Sequence, residues 1–126
     1  MEWLGVKEIK LSFSLITISA FRLGEDLAVL VAGGEREHVG TAVLSVPRPS
    51  LRNDGTLSST SSVLNLPGHK DEALCRRIAE HLSSTYGRTA LVTGGFHVDG
   101  LAPSQLEEIM SKVEEALPGL FADFCL

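Results

Sequence analysis

Apolar and polar positions alternate along the first part of the chain. Between Lys7 and Ile18, the residues Ile9, Leu11, Phe13 and Leu15 are apolar while Lys10, Ser12 and Ser14 are polar. This is the period of two expected of a half-buried antiparallel strand. After Leu15 the apolar set slips to Ile16 and Ile18, which would move it to the other face, so a bulge or a strand end is expected there. Gly24-Glu25-Asp26 reads as a turn. Leu27 to Ala32 is then an unbroken apolar run, the pattern of a central strand covered on both faces.

Thr41 to Val46 reads as the next strand, and Pro47-Arg48-Pro49 is expected to end its pairing because proline lacks a backbone donor. Asn53-Asp54-Gly55 is a turn signal, followed by a Ser/Thr-rich strand from Leu57 to Leu66. The serines of that strand read as a solvent-facing surface, since no GxSxG elbow surrounds them.

Helical spacing begins after Pro67-Gly68. Leu74, Ile78 and Leu82 recur every four residues within a helix expected over His69 to Tyr86, and Gly87 suits the position just past its end. Arg88 to Val92 reads as a strand ending in a glycine pair. Pro103 and the Ser104-x-x-Glu107 spacing mark the start of a second helix, with a stripe of Leu106, Ile109, Met110, Val113 and Leu117 and a stop at Pro118-Gly119. The apolar tail from Leu120 to Leu126 must dock on the domain or form a partner surface.

The expected fold class is therefore α+β: one domain over residues 1–126, with an antiparallel or mixed β-sheet in the order ββββαβα and two helices packed on one face. A Rossmann arrangement is disfavoured, because Gly33-Gly34 leads towards another strand and no GxGxxG opens a helix.

Composition narrows the function classes. At 126 residues the chain can bury about two thirds of its unfolded surface. A net charge of −5 argues against a broad nucleic-acid or anionic-membrane surface, so any anionic ligand must be held by a local pocket. Cys75 and Cys125 have no CxxC spacing and read as free thiols in a reducing compartment. The N-terminus lacks the basic and apolar regions of a secretory signal, and no apolar run approaches the roughly 20 residues that span a bilayer. A cytoplasmic location is the expectation.

Candidate chemistry gathers at glycines and histidines. Leu27–Ala32 leads into Gly33-Gly34 and on to His38-Val39-Gly40, and Ala90–Thr93 leads into Gly94-Gly95 and on to His97-Val98-Asp99-Gly100. Glycine permits close backbone approach to a ligand, and histidine is the side chain that titrates near neutrality. Gly68-His69-Lys70-Asp71 adds a helix start whose free amides and Lys70 suit a phosphate. Ordinary capping by Asp71 and Glu72 is the plainer account of that segment. If the chain is extended, His97 and Asp99 point to one side, so that the carboxylate can orient the imidazole; otherwise Asp99-Gly100 is simply a turn. Arg36, Arg48 and Arg52 are candidate phosphate clamps or surface charges. His38, His69 and His97 are candidate metal ligands, although their separations match no standard local spacing.

Taken together, His38-Val39-Gly40, Pro47-Arg48-Pro49-Ser50-Leu51, Leu66-Pro67-Gly68-His69-Lys70-Asp71 and Gly95-Phe96-His97-Val98-Asp99 resemble the prenylated-flavin chaperone family typified by LpdD, a family named also for its association with gallate decarboxylase. The resemblance runs from about Leu27 to the last helix. It implies a non-catalytic protein that binds prenylated FMN, or FMN, and assists maturation of a UbiD-type aromatic acid decarboxylase. It also implies a fold similar to proteasome-assembly chaperones and a tendency to form homo-oligomers. The cofactor-binding residues carried by these motifs are Gly33, Gly34, His38, Gly40, Gly68, His69, Lys70, Asp71, Gly95, His97 and Asp99, with a divalent cation able to bridge His38, His69 and His97 to a phosphate. Phe96 departs from the small aliphatic residue expected before the last histidine; it either stacks on a flavin ring or fills the core. Two other classes stay open: an assembly chaperone without flavin, and a histidine-based metal-dependent hydrolase or isomerase.

Overall fold

The computed structural model describes residues 1–67 and 71–126. The elements run β1 (Glu2–Lys10), β2 (Leu15–Leu23), β3 (Asp26–Gly34), β4 (Thr41–Pro49), β5 (Leu57–Asn65), α1 (Glu72–Tyr86), β6 (Ala90–His97) and α2 (Pro103–Leu120), with a final 3-10 turn over Ala122–Phe124. Six strands form one mixed sheet in the order β1-β2-β3-β6-β4-β5. Among the described residues β3 and β6 pair in parallel, and the other neighbours are antiparallel. The α+β class and the two helices on one face agree with the sequence pattern.

Five details differ from it. Of the bulge or strand end expected after Leu15, the structure has a strand end, but earlier, at a reversal before Leu15: Leu11 N–H donates to the Ser14 carbonyl at 2.9 Å, and Ile9 lies opposite Ile16 across the hairpin. The single early strand expected from the alternation is thus two. Pro47 and Pro49 do not end β4, which stays in register with β5 as far as Pro49↔Leu57. Its pairing with β6 stops at Ser45, so beyond that point one side of β4 is an edge where a missing donor is tolerated.

Likewise β6 does not stop at its glycine pair but runs through it, keeping Gly94 and Gly95 paired with Val31 and Ala32 up to His97. Helix α2 continues through Pro118 to Leu120, the proline falling in its last turn. It starts on Pro103 with the Gln105 side chain accepting from the Ala102 amide at 2.8 Å, in place of the expected Ser104–Glu107 box. The expected first turn of α1 includes His69 and Lys70, which lie outside the described residues.

Alternate residues of the central strands, Val29 and Val31 on β3, Val92 on β6 and Val43 on β4, point under the helices with Ile16 and Ile18. From above they meet Leu74, Ile78 and Leu82 of α1 and Ile109, Val113 and Leu117 of α2. Among the fully buried side chains, Phe121 is the largest; it anchors the apolar tail, and the Arg22 guanidinium holds the Phe124 carbonyl at 3.2 Å. The tail therefore docks on its own domain.

His81 on α1 is buried between Tyr86 and Phe121, and its Nε2 has no hydrogen-bond partner among the described residues. Burial first, and then the Arg77 charge, hold its imidazole below the usual range, while Glu114 acts in the opposite sense. The folded chain thus prefers neutral His81. The resulting stability is complete above the ordinary histidine value and is lost as pH falls below it, because the unfolded chain takes up the proton first. Thermal unfolding between pH 7.5 and pH 5 should show a fall in Tm for the wild type that is smaller in His81→Leu; an equal fall in both would remove His81 from the account.

Candidate functional site

The end of the sheet at which β3 and β6 finish and β4 begins carries most of the residues singled out from sequence. Asp71, at the start of α1, is the centre of this group. Its main-chain carbonyl accepts from the Cys75 amide at 3.1 Å, opening the helix, but its side chain makes no capping bond. The carboxylate instead turns inward and is only 6% exposed. One oxygen accepts from His38 Nε2 at 3.0 Å; the other accepts from the Phe96 amide at 2.8 Å. Simple capping by Asp71 is thus replaced by a tie between the β3–β4 connection, α1 and β6.

Two glycines make room for that tie. A Cβ on Gly40 would stand 2.0 Å from Asp71 Oδ2, and one on Gly95 would stand 2.6 Å from His38 Nε2 and 3.0 Å from Asp71 Oδ2. No side chain fits at either position without displacing the pair. Gly40 is also held on both sides, its amide donating to the Gly94 carbonyl at 2.8 Å and its carbonyl accepting from the Leu66 amide at 3.0 Å. Gly40 and Gly95 are therefore the seat of a side-chain pair.

Gly33 and Gly34 act one step further away. The Phe96 ring lies over Gly33, where a Cβ would come within 2.7 Å of it, and Phe13 meets that ring edge-on with centroids 6.2 Å apart. Gly34 has φ +79°, and a Cβ there would stand 2.1 Å from the His97 carbonyl. The Glu35 amide bonds to that same carbonyl at 2.7 Å, which fixes the backbone of His97.

Asp99-Gly100 is a turn just past the end of β6, and within it the carboxylate still meets the imidazole: His97 Nε2 lies 2.8 Å from Asp99 Oδ1. The imidazoles of His38 and His97 stand edge to face, with centroids 6.1 Å apart. Each is thus oriented by its own carboxylate, one pair buried and the other exposed. Gly68, His69 and Lys70 lie outside the described residues. So does one of the three histidines of the candidate metal set; among the described residues no three histidine, cysteine or acidic side chains are grouped to hold a metal ion. Arg48 is not brought here, since it bonds Thr60 Oγ1 at 2.9 Å near the far end of β4. Arg52 lies beyond that end, in the β4–β5 connection.

Beside Asp71 and His97 opens a cavity of about 320 Å³. Its walls are Ala73 and Leu74 of α1, Phe96 and Val98 at the end of β6, and Leu101, Leu106, Ile109 and Met110 from the following segment and α2. Most of this lining was not singled out from sequence as site residues. Leu106 and Met110 were read as part of the core stripe, yet Leu106 is 42% exposed: the apolar stripe of α2 is wider than the core beneath it, and the excess faces the cavity. Ser12 in the β1–β2 turn bonds Glu108 through both its amide and its hydroxyl, tying that turn to the same helix. Under the site, Cys75 is fully buried, and burial followed by the Asp71 charge pushes its thiol up to about 12.

The seat of the pair is testable by adding one methyl group. Gly95→Ala should lower unfolding stability by about 1–3 kcal/mol, as overpacking does. Gly119→Ala, where a Cβ meets nothing within 4 Å in a helical residue, should raise it by up to about 1 kcal/mol. Denaturant unfolding of the two variants checks this, and an unperturbed Gly95→Ala would contradict the close approach.

Comparison with solved structures finds a neighbour described as a novel chaperone complex for yeast 20S proteasome assembly, at a TM-score of 0.48 and 16% identity, covering 90% of this chain and 93% of that one. No curated protein matches the chain. The model of one protein family matches residues 13–124, which take in the whole of the site described above. The chain belongs to the family of prenylated flavin chaperone LpdD-like domains.

Proposed function

We propose that this protein binds prenylated FMN without transforming it, and delivers the cofactor to a UbiD-type aromatic acid decarboxylase in the cytoplasm as a homo-oligomer. The observation that carries the reading is the cavity of about 320 Å³, lined mainly by apolar side chains and by the polar side chains of Asp71 and His97. An aromatic ring system enlarged by a prenyl-derived ring needs such a surface, with few polar groups to fix its orientation. Phe96 and Met110 line the cavity and offer an aromatic face and a polarisable thioether to it.

The polar rim suits the rest of the cofactor. His97 stands at the cavity wall, and an imidazole is able to donate to a phosphate or to hold a cation beside it, while His38 stands behind it, held by Asp71. Asp71 carries negative charge into the same place, so a bound phosphate requires positive charge between the two. A protonated histidine or a divalent cation would supply it. The chemistry of the donors therefore fits a flavin mononucleotide, whose bound form would supply the aromatic ring and the phosphate that these groups hold.

A carrier role is supported by the state of the nearest thiol. Cys75 is buried and its pKa is raised to about 12, far from the thiolate that covalent catalysis needs. The described helices include none long and apolar enough to cross a membrane.

Anaerobic titration with FMN and with prenylated FMN tests the reading. Leu106→Trp, which fills the cavity, and His97→Ala, which removes a rim donor, should each weaken binding of prenylated FMN at least about tenfold, or about 1.4 kcal/mol. A wild type that takes up neither flavin, yet forms a stable complex with a decarboxylase, would replace this account with a chaperone that works without cofactor. Binding unchanged by both substitutions would place the cofactor elsewhere.

A further inference from the structure

The sequence of β3 calls for cover on both faces, and the chain covers one. With both helices on the core side, Leu30 of β3 is 49% exposed, and Leu91 of β6 and Leu44 of β4 are also exposed. The register sets these residues in lines across the sheet. Trp3, Phe21, Ala28, Leu91 and Leu44 are successive cross-strand neighbours from β1 to β4. One step along the strands, Leu30 and Ala42 flank Thr93, and Leu64 follows Ala42 on β5. Neither line contains an acidic or basic residue. The charges of this face, Glu8 and Lys10 on β1, Asp26 on β3 and Arg48 on β4, stand outside both lines.

An open antiparallel face normally alternates to polar residues on its wet side. A contiguous apolar band that crosses the sheet is instead the mark of an interface. Its size is informative. Six strands at about 4.8 Å spacing make a face about 29 Å wide, and a length of about 25 Å gives roughly 700 Å² per copy. Two such faces bury roughly 1,400 Å² in all, within the range of stable specific interfaces.

We propose that this face is the self-association surface: two copies pack sheet against sheet about a twofold axis, with the helices outside. An uncharged band of this width matches another like itself, since the side chains of two inner sheet faces interdigitate at about 10 Å and an isologous contact uses one patch twice. This gives a surface to the homo-oligomer of the proposed function and does not depend on flavin binding. The cavity lies on the helix side, so pairing of the sheets leaves it open.

Light scattering or sedimentation at micromolar concentration should give the wild type twice its chain mass of 13.5 kDa. Leu30→Asp combined with Leu91→Asp should give a monomer with an unchanged circular dichroism spectrum and unchanged prenylated FMN binding. As a check that does not rely on a charged variant folding, Leu91→Cys in a Cys125→Ser background should form an interchain disulfide on mild oxidation. A monomeric wild type, a dimer that persists in the double Asp variant, or a dimeric Leu91→Cys protein that does not cross-link overturns the proposal. Flavin binding by a monomeric wild type would overturn it while leaving the cofactor reading intact.

Discussion

A carboxylate almost wholly withdrawn from water must be answered by donors, and Asp71 is answered by two parts of the fold at once. His38 reaches it from the connection before β4, and the Phe96 amide reaches it from β6, while Asp71 itself opens α1. Desolvating an acidic group without such partners costs several kcal/mol, so the three segments are bound together by the requirements of one side chain. Gly40 and Gly95 follow from it, because the pair occupies the space a Cβ would need. The placement of Phe96 follows too, and with it one wall of the cavity.

This makes the site a property of the sheet end rather than of a flexible loop. The end of β6 and the residue that follows it bring Phe96, His97 and Val98 to the cavity wall, and Gly33 and Gly34 of β3 leave room for the first two. The recess beside this sheet end is apolar, with His97 at its wall and Cys75 buried beneath, the thiol pushed up to about 12 by burial.

The fold class was legible because period-two and period-four patterns dominate the chain, and because glycine and proline mark most turns. Where the reading went astray, tertiary context had overridden a local signal. The Leu11–Ser14 reversal hides inside an alternation that continues through it; Pro47 and Pro49 are accepted because β4 is an edge there; and Gly94-Gly95 lies within a strand because β3 pairs with it. His38, Asp71 and His97 were legible as candidates, and the structure brings them together. Their division of labour was not, since Asp71 at a helix start looks the same whether it caps or turns inward. The cavity lining was hidden for a similar reason: Leu106 and Met110 have helical spacing whether they face core or ligand.

The most direct test of the central claim is a double-mutant cycle on the buried pair, with Asp71→Asn, His38→Ala and the combined variant measured by denaturant unfolding. Asp71→Asn alone should lose about 2–4 kcal/mol, and the two substitutions should be coupled by at least about 1 kcal/mol, as for partners in one network. Losses that add to within about 0.5 kcal/mol, the behaviour of independent sites, would contradict the claim that this carboxylate organises the site.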